Sequence, residues 1–348
     1  MNVKKHEAIA LITAAVLIGL SYIASRHIPD RFQAEHLRCA IELGANDLKT
    51  GRLTGFNYFL LEKFAADHGK TLDIVLSRKG DSYVDSLRNG AIDLVVIPYS
   101  DAIMNDDVQT SIPIDSASLW LVPTKEILDI RILNKWIFKY HHTAEYKETR
   151  DLYLKIYEPI RAARAGKKMH KLSPYDDIIR EYADSLGWDW KFLTAVIFQE
   201  SQFRIDARSH RGAIGLMQMT PYTAGKWCDG DIVDPRQNIK AGTQYLKYLS
   251  GLYYRVASDR NERMKFTIAA YNAGPGRVRD IINFARSRGV DVSHWDSVAF
   301  VMPGMRDPNL VAAAGTVKLG TFNGKETTTY VSRVLELYEA FNKLYREE

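Results

Sequence analysis

The stretch LTAVIFQESQF, residues 193–203, places an acidic side chain where its neighbours predict an apolar one. Leu193, Val196, Ile197 and Glu200 have the spacing of residues that line one face of a helix. We therefore expect Glu200 to lie on the buried stripe of a helix, near its C-terminal end. Burial disfavours the charged carboxylate, and so does the partial negative charge of a helix C-terminus, so the pKa of Glu200 is expected to be raised.

A carboxylic acid that still holds its proton near neutral pH can act as a general acid in catalysis. A buried glutamate can equally be a structural residue that is satisfied by an arginine or by backbone donors, because structural networks perturb acids too. The position of Glu200 alone leaves both interpretations open.

The chain from residue 173 to the C-terminus has helical periodicity and almost no strand signal. One helix follows Ser173 and ends at Gly187, where glycine is a typical stop signal. Further helices are predicted at 189–201, 221–228, 236–257, 263–274, 276–287 and 330–346. The sequence therefore predicts an all-α domain over residues 173–348.

The preceding part of the chain, residues 36–160, alternates between strand and helix patterns. LRCAIEL and TLDIVLS are short apolar runs typical of strands, and GFNYFLLEKFAADHG between them has helical spacing. This order is typical of βαβ units, whose product is a parallel sheet. A basic, polar segment at 161–172 is interpreted as a solvated linker between the two domains.

The N-terminal residues 1–30 predict a signal peptide or a membrane anchor. Residues 8–24 form an uncharged apolar run that follows Lys4 and Lys5, and no clear cleavage site comes after it, which favours an anchor. The lysines predict that the N-terminus stays in the cytoplasm and that the rest crosses the membrane. A buried core helix is the alternative interpretation of the run.

The composition narrows the class of function. A chain of 348 residues is long enough for two globular domains. Its net charge of +5 fits an anionic polymer but lacks the basic stripe of a nucleic-acid-binding protein, so no nucleic-acid partner is expected. Cys39 and Cys228 lie far apart in the sequence and predict neither a disulfide framework nor a metal site.

Three motifs, in a fixed order along the chain, favour a catalytic role for Glu200. The chain contains ESQFRIDARSHRGAIGLMQMTP from residue 200, AAYNAGPGRV at 269–278 and ETTTYVSRV at 326–334. Together they resemble the lytic transglycosylase domain of bacterial cell-wall enzymes, which has a lysozyme-like helical fold. Residues 36–160 resemble the first lobe of periplasmic solute-binding domains of the amino-acid-binding type, truncated to one lobe, for which we expect a structural or docking role. The predicted fold class is thus α+β and multidomain, with an N-terminal membrane segment, a one-lobe α/β domain and a C-terminal all-α lysozyme-like domain.

The resemblance implies roles for particular residues. Glu200 matches the single catalytic acid, and Ser201 is expected to form hydrogen bonds near it. Gln218 is expected to offer its amide to the substrate and Tyr330 to close the cleft. The implied substrate-binding set is Ser201, Gly215, Met217, Gln218, Tyr271, Asn272 and Tyr330. Asp206, the nearest second acid, is interpreted as a residue that stabilises its loop.

The resemblance also implies an activity. We expect a lyase that cleaves the bond between N-acetylmuramic acid and N-acetylglucosamine in peptidoglycan without water and leaves a 1,6-anhydromuramic end, in cell-wall remodelling or turnover. The expected partners are peptidoglycan strands and, through the N-terminal segment, a membrane of the bacterial envelope, with the catalytic domain in the periplasm. Partners among cell-wall synthesis or division proteins are left open.

Metal sites, phosphate sites and two other functions are the alternatives to this interpretation. His141 and His142 lack the glutamate spacing of a zinc helix, and GPGR at 274–277 is not a phosphate loop, so neither a metal nor a cofactor is expected. A goose-type lysozyme-like hydrolase and a non-catalytic glycan-binding or sensing protein of the envelope remain as alternatives. Several tyrosines could stack on sugars, although such a stripe is more often part of a core: Tyr245, Tyr248, Tyr253 and Tyr254.

Overall fold

The structure, a computed structural model, describes residues 35–43, 48–76, 83–99, 107–115, 117–124, 127–154 and 158–347. The apolar run predicted to be a membrane segment, residues 8–24, lies outside these ranges. Within them, no helix combines the length and the apolarity that crossing a bilayer requires.

The first half of the chain forms strands and helices in the predicted order. Its strands are β1 (His36–Ile41), β2 (Thr71–Leu76), β3 (Leu94–Pro98), β4 (Val108–Thr110) and β5 (Ser118–Pro123). Its helices are α1 (Leu48–Asp67), α2 (Val84–Arg88), α3 (Ile127–His141) and α4 (Ala144–Leu154). Strands β1 and β2 overlap the runs LRCAIEL and TLDIVLS that predict them, whereas the sequence pattern did not predict the three-residue strand β4.

The sheet is mixed rather than parallel, which corrects the sequence-based expectation. The described strands lie in the order β2-β1-β3-β5-β4. Strands β1 and β3 pair in parallel, with Cys39 opposite Leu94, whereas β5 is antiparallel to both β3 and β4. The connection from β4 to β5, residues 111–117, is too short for the crossover that parallel neighbours need, so these two strands form an antiparallel pair.

Three aromatic rings form the centre of the packing beside this sheet. Trp120 of β5 is fully buried, and its ring lies 5.8 Å from that of Phe64 and 6.0 Å from that of Trp136. The indole N–H of Trp136 donates a hydrogen bond of 2.9 Å to Asp67, so its polar edge is satisfied. Burial of these rings holds helices α1 and α3 against the sheet.

The second half of the chain is helical, as predicted. Its elements are α5 (Pro159–Arg164), α6 (Asp176–Leu186), α7 (Trp190–Ser201), α8 (Pro221–Trp227), α9 (Pro235–Leu252), α10 (Arg260–Ala273), α11 (Pro275–Ser287), α12 (Trp295–Val301), a 3₁₀ helix (Met302–Arg306), α13 (Pro308–Ala314) and α14 (Lys325–Leu344). The sequence pattern missed α4, α5, α12 and α13. Helices α5, α12 and α13 have only six or seven residues, so their apolar stripes are brief, and α4 (AEYKETRDLYL) is rich in charged residues that obscure its stripe.

The described residues pack as two compact units whose boundary differs from the predicted one. The first unit contains the sheet and ends at Phe138, and the second contains residues 43–59 together with the chain from Lys139 onward. Within the second unit, the ring of Tyr153 lies 5.8 Å from that of Phe56 and 6.4 Å from that of Tyr175. This aromatic packing joins residues near 56 and 153 to the helical half, so the division falls well before residue 160.

The segment at 161–172 is packed rather than a solvated linker. Residues 159–164 form α5, which packs against α14. The amide of Met169 donates to the carbonyl of Leu344, and the amide of Arg346 donates to the carbonyl of Met169. Leu172 is fully buried. The segment is basic, yet the backbone bonds of Met169 fix it to the C-terminal end of the chain, and its Leu172 is buried.

Replacing the central tryptophan of the first unit should destabilise that unit. We expect Trp120→Ala to cost about 3 to 5 kcal/mol, because the surrounding rings cannot collapse into the space it leaves. The matched control is Tyr99→Ala, since Tyr99 is 54% exposed in the same unit. Denaturant unfolding followed by circular dichroism measures both, and equal losses would contradict the assignment of Trp120 to the core.

Candidate active site

Helix α7 carries Glu200 at its C-terminal end. The helix begins after Asp189, whose side chain caps it by accepting a 2.9 Å hydrogen bond from the amide of Lys191. Leu193, Val196 and Ile197 are fully buried on one face, and Glu200 continues that face while remaining partly exposed. Gln202 and Phe203 then adopt positive φ angles of 53° and 64°, which turn the chain sharply. The predicted position of Glu200 on the buried stripe is confirmed.

Tyr330 of α14 contacts the carboxyl group of Glu200. Its hydroxyl donates a hydrogen bond of 2.5 Å to Oε1 of Glu200, and the tyrosine itself is only 6% exposed. Burial raises the pKa of Glu200 to about 7, and the hydrogen bond from Tyr330 opposes this rise because it stabilises the charged form. A substantial fraction of Glu200 therefore carries a proton at neutral pH.

Tyr271 of α10 lies in the electrostatic field of the same carboxyl group. Burial raises the pKa of Tyr271 well above its usual range, and the nearby Glu200 raises it further. Its hydroxyl donates to the backbone carbonyl of Met217 at 2.6 Å. The structure thus brings together three predicted residues, Glu200, Tyr271 and Tyr330, from three different helices. It also shows that the hydroxyl of Tyr271 holds the loop that contains Met217.

That loop, residues 212–219, depends on a residue that the sequence analysis missed. Asn238 of α9 is fully buried, and its Oδ1 accepts a 2.8 Å hydrogen bond from the amide of Met217. Its Nδ2 donates to the carbonyls of Ile214 and Ile232. Gly215 has a φ of +79°, and a Cβ there would collide with the amide of Asn238, so only glycine fits.

Gln218 is held within the loop. Its amide nitrogen donates to the carbonyls of Ala207 and Gly215, each at 3.0 Å, and its φ is 48°. Both amide hydrogens are therefore used to fix the loop. The expectation that Gln218 offers its amide to a substrate is narrowed to the carbonyl oxygen of that amide.

Ser201 does not turn toward the carboxyl group. It is buried, and its hydroxyl donates to the carbonyl of Ile197, four residues earlier in the same helix, at 3.2 Å. The hydrogen-bonding capacity of this hydroxyl is therefore used within its own helix, which is common for buried serines. The expected role of Ser201 in hydrogen bonding at the active centre has no support in this geometry.

Asn272 is linked to α14 through another residue that the sequence analysis did not single out. The hydroxyl of Thr327, a residue that is 1% exposed, donates to Oδ1 of Asn272 at 3.1 Å. Thr327 precedes Tyr330 by one helical turn, so this bond fixes the part of α14 that presents Tyr330. Thr327 belongs to the ETTTYV stretch that the sequence analysis quoted, although nothing in the sequence favours one of its three threonines over the others.

Asp206 forms its contacts inside its own loop. Its carboxylate lies 3.6 Å from Nε of Arg204, and burial raises its pKa while Arg204 lowers it. This pairing supports the interpretation of Asp206 as a loop-stabilising residue. Among the residues that the structure describes, no three histidine, cysteine or acidic side chains come together as metal ligands would.

Comparison with known proteins agrees with this geometry. The family model described as the transglycosylase SLT domain matches residues 177–292, a segment that includes Glu200, the loop and Tyr271. A membrane-bound lytic murein transglycosylase F from Desulfosudis oleivorans is 30% identical over 292 residues, which cover 80% of this chain and 63% of that protein. The protein of the same name from Maricaulis maris is 34% identical over 183 residues, covering 52% of this chain and 39% of the relative.

Among solved structures, the lytic transglycosylase Slt of Pseudomonas aeruginosa is 23% identical, with a TM-score of 0.34 and coverage of 63% of this chain and 33% of that one. The chain spans less than two thirds of the length of the curated relatives named above. Residues 177–292, within the second, helical unit, therefore match the transglycosylase SLT domain.

Proposed function

We propose that this chain is a lytic transglycosylase that cleaves peptidoglycan, and that Glu200 is its only catalytic acid and base. The observation that carries the proposal is the carboxyl group of Glu200, which has a pKa of about 7 and accepts a hydrogen bond from Tyr330. The relatives are named lytic murein transglycosylases, which supports the same activity. A proton held near neutral pH is what the first chemical step needs.

In the first step, Glu200 gives its proton to the oxygen that joins N-acetylmuramic acid to N-acetylglucosamine. The bond between C1 and that oxygen breaks, and the electron pair leaves with the protonated oxygen. The N-acetyl group of the muramic unit stabilises the positive charge that develops at C1, a task that a second carboxylate performs in other glycosidases. Tyr330 donates its hydrogen bond to the carboxylate that results, which limits the cost of the charge on Glu200.

In the second step, the ionised Glu200 accepts the proton of the C6 hydroxyl of the same muramic unit. The C6 oxygen attacks C1 and closes the 1,6-anhydro ring, so no water is consumed and Glu200 is protonated again. The attack is favoured because the hydroxyl is tethered to the sugar that it attacks. The loop at 212–219, fixed by Asn238 and Tyr271, supplies a rigid wall beside the carboxyl group.

The N-terminal half carries a separate part of the proposal. We infer that residues 1–30 anchor the chain to a membrane of the bacterial envelope, which places the catalytic domain in the periplasm. The words "membrane-bound" in the names of the relatives support this location. We assign the first unit, which contains the sheet and ends at Phe138, the role of a one-lobe solute-binding-like domain that docks rather than senses, because half of a two-lobed clamp offers little concave surface to a small ligand.

The first test is the mass of the product. The purified full-length chain is incubated with isolated peptidoglycan, and the released fragments are analysed by mass spectrometry. We expect 1,6-anhydromuramic ends. Fragments heavier by one water would identify the hydrolase alternative, and no release by a folded chain would identify the non-catalytic alternative.

The second test separates Glu200 from the nearest acid in its loop. We expect Glu200→Gln to lower the rate of peptidoglycan release by about 10² to 10⁴, because that is the usual contribution of a general acid. Asp206→Asn is the matched control, and we expect a far smaller loss from it. A loss with Asp206→Asn as large as that with Glu200→Gln would indicate a two-carboxylate mechanism instead.

The pH dependence tests the protonated state. The initial rate should be high below the pKa of about 7 and fall as the pH rises through it, because Glu200 must start as the acid. In Tyr330→Phe the carboxylate loses its hydrogen bond, so its pKa rises and the falling limb moves to higher pH. Tyr338→Phe is the control, because Tyr338 lies on the same helix but donates to Asp189. An unmoved limb in Tyr330→Phe would contradict the assignment.

The free energy of unfolding should depend on pH because Glu200 is buried. The pKa of Glu200 is raised from 4.5 to about 7, so the folded chain binds the proton more tightly and loses stability as the pH rises through that window. Glu200→Gln removes a cost of up to about 3 kcal/mol at pH 8 and none at pH 4. Thermal unfolding at both pH values measures this difference, with the exposed Glu326→Gln as control. Equal stability of Glu200→Gln and the parent chain at pH 8 would contradict the burial argument.

A further inference from the structure

A row of aromatic rings leads away from Tyr271 along the surface of the helical unit. The ring of Tyr245 lies 5.5 Å from that of Tyr271, and the ring of Tyr248 lies 6.3 Å further on, nearly parallel to that of Tyr245 at 16°. The indole of Trp227 lies 5.5 Å from the ring of Tyr248 and 6.2 Å from that of Tyr245, so these three rings contact one another. We call Tyr245, Tyr248 and Trp227 the aromatic row.

The aromatic row is exposed, unlike a core stripe. Tyr248 is 43% exposed, and Tyr245 and Trp227 are partly exposed. Helix α8, which ends at Trp227, contains no buried residue. By contrast, Tyr253 on the turn after α9 is 3% exposed and packs against Phe266. Of the four tyrosines that the sequence left undecided, Tyr253 is thus a core residue, Tyr245 and Tyr248 belong to the row, and Tyr254 is exposed outside it.

The side chain of Lys226 lies beside the aromatic row. The ammonium group of Lys226 lies 5.5 Å from the centre of the Trp227 ring and 5.4 Å from that of the Tyr248 ring. A cation at this distance from ring faces is attracted to them and stays near the surface. The exposed surface therefore combines ring faces, hydroxyl groups and one positive charge.

We propose that the aromatic row is an additional glycan-binding site, which stacks sugar units of a strand beyond those held at Glu200. This inference rests on the proposed function, because it takes the substrate of that same site to be a glycan. Tyrosine and tryptophan offer flat apolar faces with polar edges, a combination that suits the C–H faces and hydroxyl groups of pyranose rings. Lys226 adds a hydrogen-bond donor for the hydroxyl and acetamido oxygens of the sugars.

Continuity with the candidate active site supports a glycan as the occupant. Tyr271 contacts the row at Tyr245 on one side and is close enough to Glu200 to have its pKa raised by that carboxyl on the other. A strand whose scissile bond lies at Glu200 can therefore continue onto the row without leaving the surface. Protein interfaces are also enriched in tyrosine and tryptophan but are depleted of lysine, so Lys226 and the continuity with Glu200, rather than the rings themselves, favour a glycan.

The test measures binding separately from cleavage. The full-length chain with Glu200→Gln is titrated with N-acetylglucosamine trimers and hexamers in isothermal titration calorimetry, and we expect it to bind both. Adding Tyr248→Ala or Trp227→Ala should raise the dissociation constant of the hexamer about three- to tenfold, the size expected for one ring contact, and change that of the trimer less. Tyr248→Phe, which keeps the ring, should bind like the parent.

The control is Tyr254→Ala. Tyr254 is also an exposed tyrosine, at 69%, but it lies against Arg263 and outside the row. We expect it to leave hexamer binding unchanged. Thermal unfolding confirms that each variant is folded, which is expected because the replaced side chains are exposed.

Two outcomes would overturn the inference. Hexamer affinities that are equal in the parent, Tyr248→Ala and Trp227→Ala would show that the row binds no glycan. Unchanged hexamer binding together with loss of self-association in sedimentation would identify the row as a protein interface.

Peptidoglycan release by the chain with Glu200 intact tests the proposed function separately from the row. No release of anhydro fragments, together with weaker hexamer binding by the row variants, would remove the proposed function and keep the row. Normal release together with unchanged hexamer binding would do the reverse.

Discussion

The hydrogen bond between Tyr330 and Glu200 is the interaction on which the candidate active site depends. Two opposing effects meet at this carboxyl group, since burial favours the protonated form and the tyrosine hydroxyl favours the charged one. Their balance leaves a pKa of about 7, at which both forms are accessible. A group that first donates and later accepts a proton needs that balance, and neither effect alone would provide it.

Much of this arrangement could be predicted from the sequence because it is local. The spacing of Leu193, Val196 and Ile197 is enough to place Glu200 on a buried stripe, and periodicity also located most of the helices of the second half. Tyr330 came from a family motif rather than from local pattern. The hydroxyl contact itself joins residues 130 positions apart, a distance at which local pattern carries no information.

The remaining features depend on tertiary packing, which explains why sequence reasoning missed them. Asn238 is a polar residue inside an amphipathic helix, and its importance becomes visible only when the loop at 212–219 lies against it. The basic segment 161–172 has the composition of a linker, but its backbone bonds to Leu344 and Arg346 make it part of the fold. The mixed sheet likewise follows from a short connection rather than from the strand patterns themselves.

Helix α9 connects the candidate active site with the aromatic row. Asn238, Gly242 and Tyr245 are spaced by four and three residues, so they share one face of this helix. Asn238 bonds the backbone of Met217, a side chain at Gly242 would collide with that of Met217, and Tyr245 contacts the ring of Tyr271. Because Gly242 has no side chain, Met217 can pack directly against the backbone of α9. This contact explains why glycine occupies a position where it otherwise weakens a helix. Because a single rigid face sets the positions of both the loop and the row, a shift of α9 would disturb them together.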